Sequence, residues 1–151
     1  VDVSDQGTDY TSVAICAVIK KQLFIVDYLM TRDNTDITIP QTAALLDKWK
    51  VSYCRVESNS MGAMFSRQLQ TQTKTRILQV HNTQNKITRI IMSSAHVMNS
   101  MIFVRNGDNQ SELFIQNVLS FSKEGKNKND DAPDCLAGLS IFVQSMFKNL
   151  S

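Results

Sequence analysis

The fold is decided by the stretch TSVAICAVIKKQLFIVDYL, residues 11–29. Its two apolar runs, 11–19 and 23–29, are rich in β-branched residues and predict two buried strands. Only residues 20–22 separate these runs, and strands joined by so short a link pair antiparallel. The opening VDV, residues 1–3, has the character of the end of another strand. The chain is therefore expected to begin with a three-strand meander.

Beyond the meander, helical spacing alternates with short apolar runs. Thr38 is a candidate N-cap of the first helix, with Pro40 in its first turn. Further helices are predicted to start at 58–60 and to cover 86–98, 112–121 and about 132–150, and further strands to cover 51–56, 76–80 and 101–104. Strands separated by helices run parallel through right-handed crossovers. The predicted fold class is α/β, a five-stranded mixed sheet (three antiparallel then two parallel strands) with helices on both faces.

Composition indicates one domain over residues 1–151. The net charge of +2 and the pI of about 8.5 are too weakly basic to favour or exclude nucleic acid. Three cysteines far apart in sequence predict buried free thiols in a reducing, intracellular setting. No apolar run approaches membrane-spanning length. Because the chain starts inside a predicted strand and without Met, it is expected to be a fragment of a larger protein.

Acidic residues occur at three places that the predicted fold brings to one edge of the sheet. Asp2 lies on the central strand, Glu57 ends the strand beside it, and residues 130–134 precede or begin the last helix. Hard cations such as Mg²⁺ prefer oxygen ligands, and converging carboxylates hold them. The sequence therefore predicts a divalent metal site. Within residues 130–134, the choice between Asp130, Asp131 and Asp134 stays open.

A plainer interpretation exists for most of the acids. Asp5 and Asp9 suit turns, and acids at 130–134 would also stabilise the N-terminus of a helix through its dipole. Glu57 has no such role, because it ends an apolar strand. Crowded carboxylates also repel one another, so at least one is expected to have a raised pKa.

Three segments carry a resemblance: VDVSDQGTDY (1–10), VESNSMG (56–62) and NDDAPDCLA (129–137). Together, and in this order, they resemble the ribonuclease H-like superfamily and, more narrowly, the C-terminal nuclease domain of the large terminase subunit of tailed bacteriophages. The resemblance implies an endonuclease that cuts concatemeric double-stranded DNA. It also implies that the catalytic and metal-binding residues are Asp2, Glu57, Asp131 and Asp134. The phosphate-loop motif of the family's N-terminal ATPase motor does not occur in this sequence.

The implied chemistry is phosphodiester hydrolysis with two Mg²⁺ or Mn²⁺ ions, a mechanism that needs no side-chain nucleophile. Lys123, Lys126 and Lys128 are predicted to contact DNA phosphates, because their loop leads into the acidic segment. Other basic residues considered for this role, for which a solvated surface is the simpler interpretation, are Lys74, Arg76, Lys86 and Arg89.

The resemblance further implies double-stranded DNA as substrate, and as partners an ATPase domain, a small terminase subunit and a portal, in the cytoplasm of the bacterial host. The isolated domain is expected to be monomeric and not to engage a membrane. Two alternatives stay open. One is a non-catalytic docking module of the packaging machine. The other is an actin-like nucleotide-binding lobe, suggested by DQGT at 5–8.

Overall fold

The computed structural model describes residues 1–4, 9–57, 60–121, 127 and 129–147. It contains five helices and five strands within those residues, in mixed α/β order. In chain order they are β1 (Thr11–Ile19), β2 (Gln22–Thr31), α1 (Thr35–Lys48), β3 (Tyr53–Glu57), α2 (Ser60–Gln70), β4 (Arg76–Val80), α3 (Lys86–Ser100), β5 (Met101–Phe103), α4 (Asn109–Leu119) and α5 (Asp131–Phe147).

The hairpin at residues 11–31 is the centre of the fold. β1 pairs antiparallel with β2, from Thr11 opposite Thr31 to Ile19 opposite Gln22. Lys20 and Lys21 form the two-residue turn, with φ of 51° and 67°. Two successive positive φ values match the right-handed twist of the paired strands. The antiparallel prediction is confirmed, although β2 is longer than predicted at both ends.

The prediction of one five-stranded sheet is wrong. The strands form a three-stranded sheet in the order β1-β2-β5, with β5 parallel to β2, and a separate two-stranded parallel sheet of β3 and β4. Residues 1–3 lie between the two sheets. Asp2 exchanges two backbone hydrogen bonds of 2.9 Å with Ser12 of β1, while Val1 accepts one from Glu57 at the end of β3.

The division into two sheets has a physical cause. Residues 1–3 make a single bridge to β1 and few hydrogen bonds to β3. These contacts cannot hold β1 and β3 together along their length. Beyond Val1, a cavity of about 400 Å³ separates them, lined by apolar side chains of β1, β3 and α5. Residues 1–3 therefore contact both sheets, through Asp2 on β1 and Val1 on β3.

Two helices start upstream of the predicted positions. α1 starts at Thr35 after the N-cap residue Asn34, not at the predicted cap Thr38, whose hydroxyl instead donates to the Asn34 carbonyl oxygen. α4 starts three residues earlier than predicted, because the Asp108 side chain accepts a 2.7 Å hydrogen bond from the Ser111 amide. At α4, a side chain that satisfies a free amide of the first turn sets the start of the helix. At α1, the Asn34 side chain makes no such hydrogen bond.

Helices cover both faces of the β structure, as predicted. Side chains alternate along β2, so that Leu29 enters one core while Tyr28 and Met30 enter the other. The first core is closed by α1 and α2, and the second by α4 and α5. α5 packs against α3, α4, β1 and β3, which brings its first turn to Asp2 and Glu57. Within the described residues no helix is both long enough and apolar enough to cross a bilayer.

Candidate metal centre

Three carboxylates converge where the N-terminal segment, β3 and α5 meet. Asp2 is fixed by its paired backbone bonds to Ser12, Glu57 is the last residue of β3, and Asp134 lies in the first turn of α5. One oxygen from each carboxylate lies within 4.8 Å of the others. We call Asp2, Glu57 and Asp134 the acid triad.

The acid triad is largely shielded from water. Asp2 is 7% exposed and Asp134 4%, and the Glu57 side chain is 17% exposed. Burial, followed by the negative charge of Asp134, raises the pKa of Asp2 well above its ordinary range. Burial likewise raises the pKa of Asp134, although a hydrogen bond from Arg89 opposes that shift. The expectation of a raised pKa therefore agrees with the structure, although burial contributes more than the crowding of the carboxylates.

A buried hydroxyl lies next to the acid triad. Ser12 is fully buried, and its Oγ has no hydrogen-bond partner among the residues that the structure describes. Ser12 is the direct cross-strand partner of Asp2, and directly opposed residues project to the same face of a sheet. The site thus combines concentrated negative charge with an unsatisfied polar atom.

The two other acids near the start of α5 have different partners. Asp131 is 4% exposed, and its Oδ2 accepts a 3.2 Å hydrogen bond from the Tyr10 amide. Burial raises the pKa of Asp131 overall, although this hydrogen bond and Lys86 lower it. Asp130 is more exposed and its Oδ1 lies 2.8 Å from Lys86 Nζ. Neither belongs to the set of mutually close ligand oxygens found among the described residues.

Two cations from α3 face these acids. Lys86, the first residue of α3, places Nζ 2.8 Å from Asp130, 3.6 Å from Asp131 and 3.8 Å from Asp134. Burial alone would lower the pKa of Lys86, but its hydrogen bond to Asp130 and the nearby Asp2 charge outweigh burial and raise it.

Arg89 lies one helical turn further along α3, on the same face as Lys86. Its Nη2 lies 2.9 Å from Asp134 Oδ1 and 3.3 Å from Glu57 Oε1. Burial lowers the pKa of Arg89, but the hydrogen bond to Asp134 and the surrounding acids raise it overall. Arg89 therefore stays charged while it holds two members of the acid triad.

A third cation, Arg55, lies between β3 and α5. Arg55 is 8% exposed on β3, and its Nη2 donates a 3.0 Å hydrogen bond to Asn82. Its guanidinium lies directly over Gly138 of α5, where an added Cβ would overlap Nη1. Glycine at this position lets α5 approach β3 closely, which places Asp134 beside Glu57.

Most of the sequence-predicted site residues come together. Asp2, Glu57 and Asp134 share one site, with Asp131 beside it. Several predicted residues fall outside the described part of the chain: the proposed DNA contacts Lys123, Lys126 and Lys128, and the segments 5–8 and 58–59.

Sequence reasoning missed the pairing of Lys86 and Arg89 with the acids. It considered both for contact with phosphate. Their spacing of three residues at a helix start predicts a shared face, but nothing local indicates that α5 would lie against that face.

The residues present suit a divalent cation. All three members of the acid triad offer carboxylate oxygens, which are the ligands that Mg²⁺ and Mn²⁺ prefer. The site is also more acidic than its cations can neutralise, since five carboxylates lie around three cations, Lys86, Arg89 and Arg55. Burial, and after it the neighbouring acids, raise the pKa of Asp2, and a cation of charge two would offset both.

Comparison with known families agrees with this geometry. The family model described as the ribonuclease H-like domain of the bacteriophage T7 terminase matches residues 1–102. The match covers the larger part of the chain and includes Asp2 and Glu57, but ends before Asp134. No curated protein matches the chain significantly. The chain belongs to the terminase ribonuclease H-like domain family.

Proposed function

We propose that this chain is the endonuclease domain of a viral DNA-packaging terminase, which cuts concatemeric double-stranded DNA by metal-dependent phosphodiester hydrolysis. The observation that carries the proposal is the acid triad, with its ligand oxygens within 4.8 Å of one another in a site shielded from water. Membership of a terminase nuclease family supports the same reaction.

In this proposal the acid triad of Asp2, Glu57 and Asp134 holds the metal. Two Mg²⁺ or Mn²⁺ ions bound there would activate water, neutralise charge on the phosphate and stabilise the leaving oxygen. The protein contributes the fixed positions of the carboxylates: one on a segment bonded to both sheets, one at a strand end and one on a buried helix turn.

Asp131 has a distinct role in the proposal. Its carboxylate ties the Tyr10 amide to the start of α5 and lies 3.6 Å from Lys86. It can therefore orient the first turn of α5, or complete a second ion's coordination if the Tyr10 contact opens. Lys123, Lys126 and Lys128 are proposed to contact DNA phosphates. The ATPase domain, small subunit and portal are proposed as partners of the intact protein.

The proposal is tested by conversion of supercoiled plasmid to nicked and linear forms with Mn²⁺ or Mg²⁺. Glu57→Gln and Asp134→Asn keep side-chain shape while removing the ligand charge, and each is expected to lower the rate by at least about 100-fold. Asp33→Asn is the matched control, because Asp33 is an exposed acid on another part of the surface. Cleavage by the two site variants at the control's rate would refute the proposal.

A further inference from the structure

The cation nearest the acid triad is a side chain of the protein itself, the guanidinium of Arg89. Arg89 Nη2 contacts Asp134 at 2.9 Å and Glu57 at 3.3 Å, so one nitrogen is shared between two of the three carboxylates. The side chain is 7% exposed, and its Nη1 donates a further 3.0 Å hydrogen bond to the Gln84 carbonyl oxygen. These contacts fix both Nη atoms of the guanidinium.

Arg89 lies on α3, so its contact with the acid triad depends on how that helix is placed. The helix is capped by Asn85, whose side chain accepts hydrogen bonds from the amides of Ile87 and Thr88. α3 packs on α5, the helix that carries Asp134. The position of α3 against α5 therefore decides whether the guanidinium reaches the acid triad.

We propose that Arg89 is a built-in competitor of the divalent ion: it neutralises Glu57 and Asp134 in the metal-free chain and must release at least one of them before an ion binds all three carboxylates. The inference rests on the proposed function, since it takes the acid triad as the metal ligands. Charge-assisted hydrogen bonds of this kind are strong, and a guanidinium this close repels a second cation.

An opposite role makes an opposite prediction. If Arg89 merely held the carboxylates in place for the ion, its removal would let them move apart and would weaken metal binding. If Arg89 competes, its removal leaves more unbalanced negative charge and strengthens metal binding. The sign of the change in affinity therefore separates the two roles without any measurement of DNA cleavage.

The test is calorimetric titration of MnCl₂ into the wild-type chain, Arg89→Met, Arg89→Lys and Arg105→Met, without DNA. Arg89→Met keeps an unbranched apolar stem and removes the charge. Arg105→Met is the matched control, because Arg105 pairs with the exposed Glu112 instead and its loss changes the net charge equally. Arg89→Met is expected to bind Mn²⁺ at least about tenfold more tightly than wild type. Arg105→Met should match wild type.

Arg89→Lys keeps the charge but loses the Nη1 hydrogen bond to the Gln84 carbonyl oxygen that helps to fix the guanidinium. Its Mn²⁺ affinity should therefore lie between those of wild type and Arg89→Met. Arg89→Lys also serves if Arg89→Met fails to fold, because its positive charge still compensates Glu57 and Asp134. Melting temperature gives a second readout: Arg89→Met should melt below wild type in EDTA and gain more from added Mn²⁺.

Unchanged or weaker Mn²⁺ affinity in Arg89→Met would overturn the inference while leaving the metal centre intact. Absence of Mn²⁺ binding to every variant at millimolar concentration would overturn the metal centre and the inference together. If Arg89→Met is unfolded in EDTA, recovery of the fold on addition of Mn²⁺ supports competition, and failure to recover it counts against competition.

Discussion

The Asp2→Asn substitution should make the metal-free chain more stable. Asp2 is 7% exposed, and burial and Asp134 raise the pKa of its carboxyl. An asparagine has nearly the same shape, loses the charge and can donate hydrogen bonds to the remaining carboxylates. The substitution therefore removes a repulsion without opening a cavity.

The size of the effect follows from the spacing of the acid triad. Two unit negative charges 4.8 Å apart repel each other by about 3.5 kcal/mol at an effective dielectric constant near 20. Lys86 attracts Asp2 and offsets part of this repulsion. We therefore expect a gain of about 1–2 kcal/mol in the free energy of unfolding, which for a chain of this size corresponds to about 2–8 °C in melting temperature.

The assay is thermal unfolding followed by circular dichroism near pH 8, in EDTA and then in Mn²⁺. Asp2→Asn should melt above wild type in EDTA, and Mn²⁺ should stabilise wild type but not Asp2→Asn. Asp33→Asn, which removes an exposed acid, should match wild type in both buffers. A lower melting temperature for Asp2→Asn in EDTA would refute the reasoning, because it would mean that the buried carboxylate stabilises the metal-free fold.

Two further predictions concern pH and helix packing. The raised pKa values of Asp2 and Asp134 mean that the folded chain binds more protons than the unfolded one above their ordinary pKa of 3.8. Stability in EDTA should therefore fall as the pH rises above about 4, and Mn²⁺ should abolish this fall. Melting curves across that range would contradict the expectation if stability rose instead. Gly138→Ala should cost about 1–3 kcal/mol in denaturant unfolding, because the added Cβ displaces the buried Arg55 guanidinium. In an Arg55→Met background the same substitution should be neutral or stabilising, since alanine is the better helix former, and an equal loss in both backgrounds would exclude the Arg55 clash as the cause.

The hairpin and most of the acids could be predicted from sequence because their signals are local. The apolar run at 11–19 became β1 with the predicted bounds, and the run at 76–80 became β4. Glu57 was recognisable because an acid at the end of an apolar strand has no packing role. These features depend on nearest neighbours and on strand periodicity.

The sheet division and the counter-ions depend on packing between distant segments, which the sequence pattern does not encode. Residues 1–3 form one bridge to β1, at Asp2, and β1 and β3 belong to separate sheets. The local sequence indicates only a surface cation at Arg89, because its partners, Glu57 and Asp134, are 32 and 45 residues away. Only the packing of α3 on α5 makes it the neighbour of both.

The most direct test of the metal centre is anomalous diffraction from a crystal of the chain soaked in Mn²⁺. The account predicts an anomalous peak within coordination distance of Asp2, Glu57 and Asp134, with the Arg89 side chain moved away from at least one carboxylate. The same map would show whether Asp130 or Asp131 joins the ligands. Mn²⁺ peaks elsewhere on the protein, with none at the acid triad and Arg89 still bound to Glu57 and Asp134, would contradict the account.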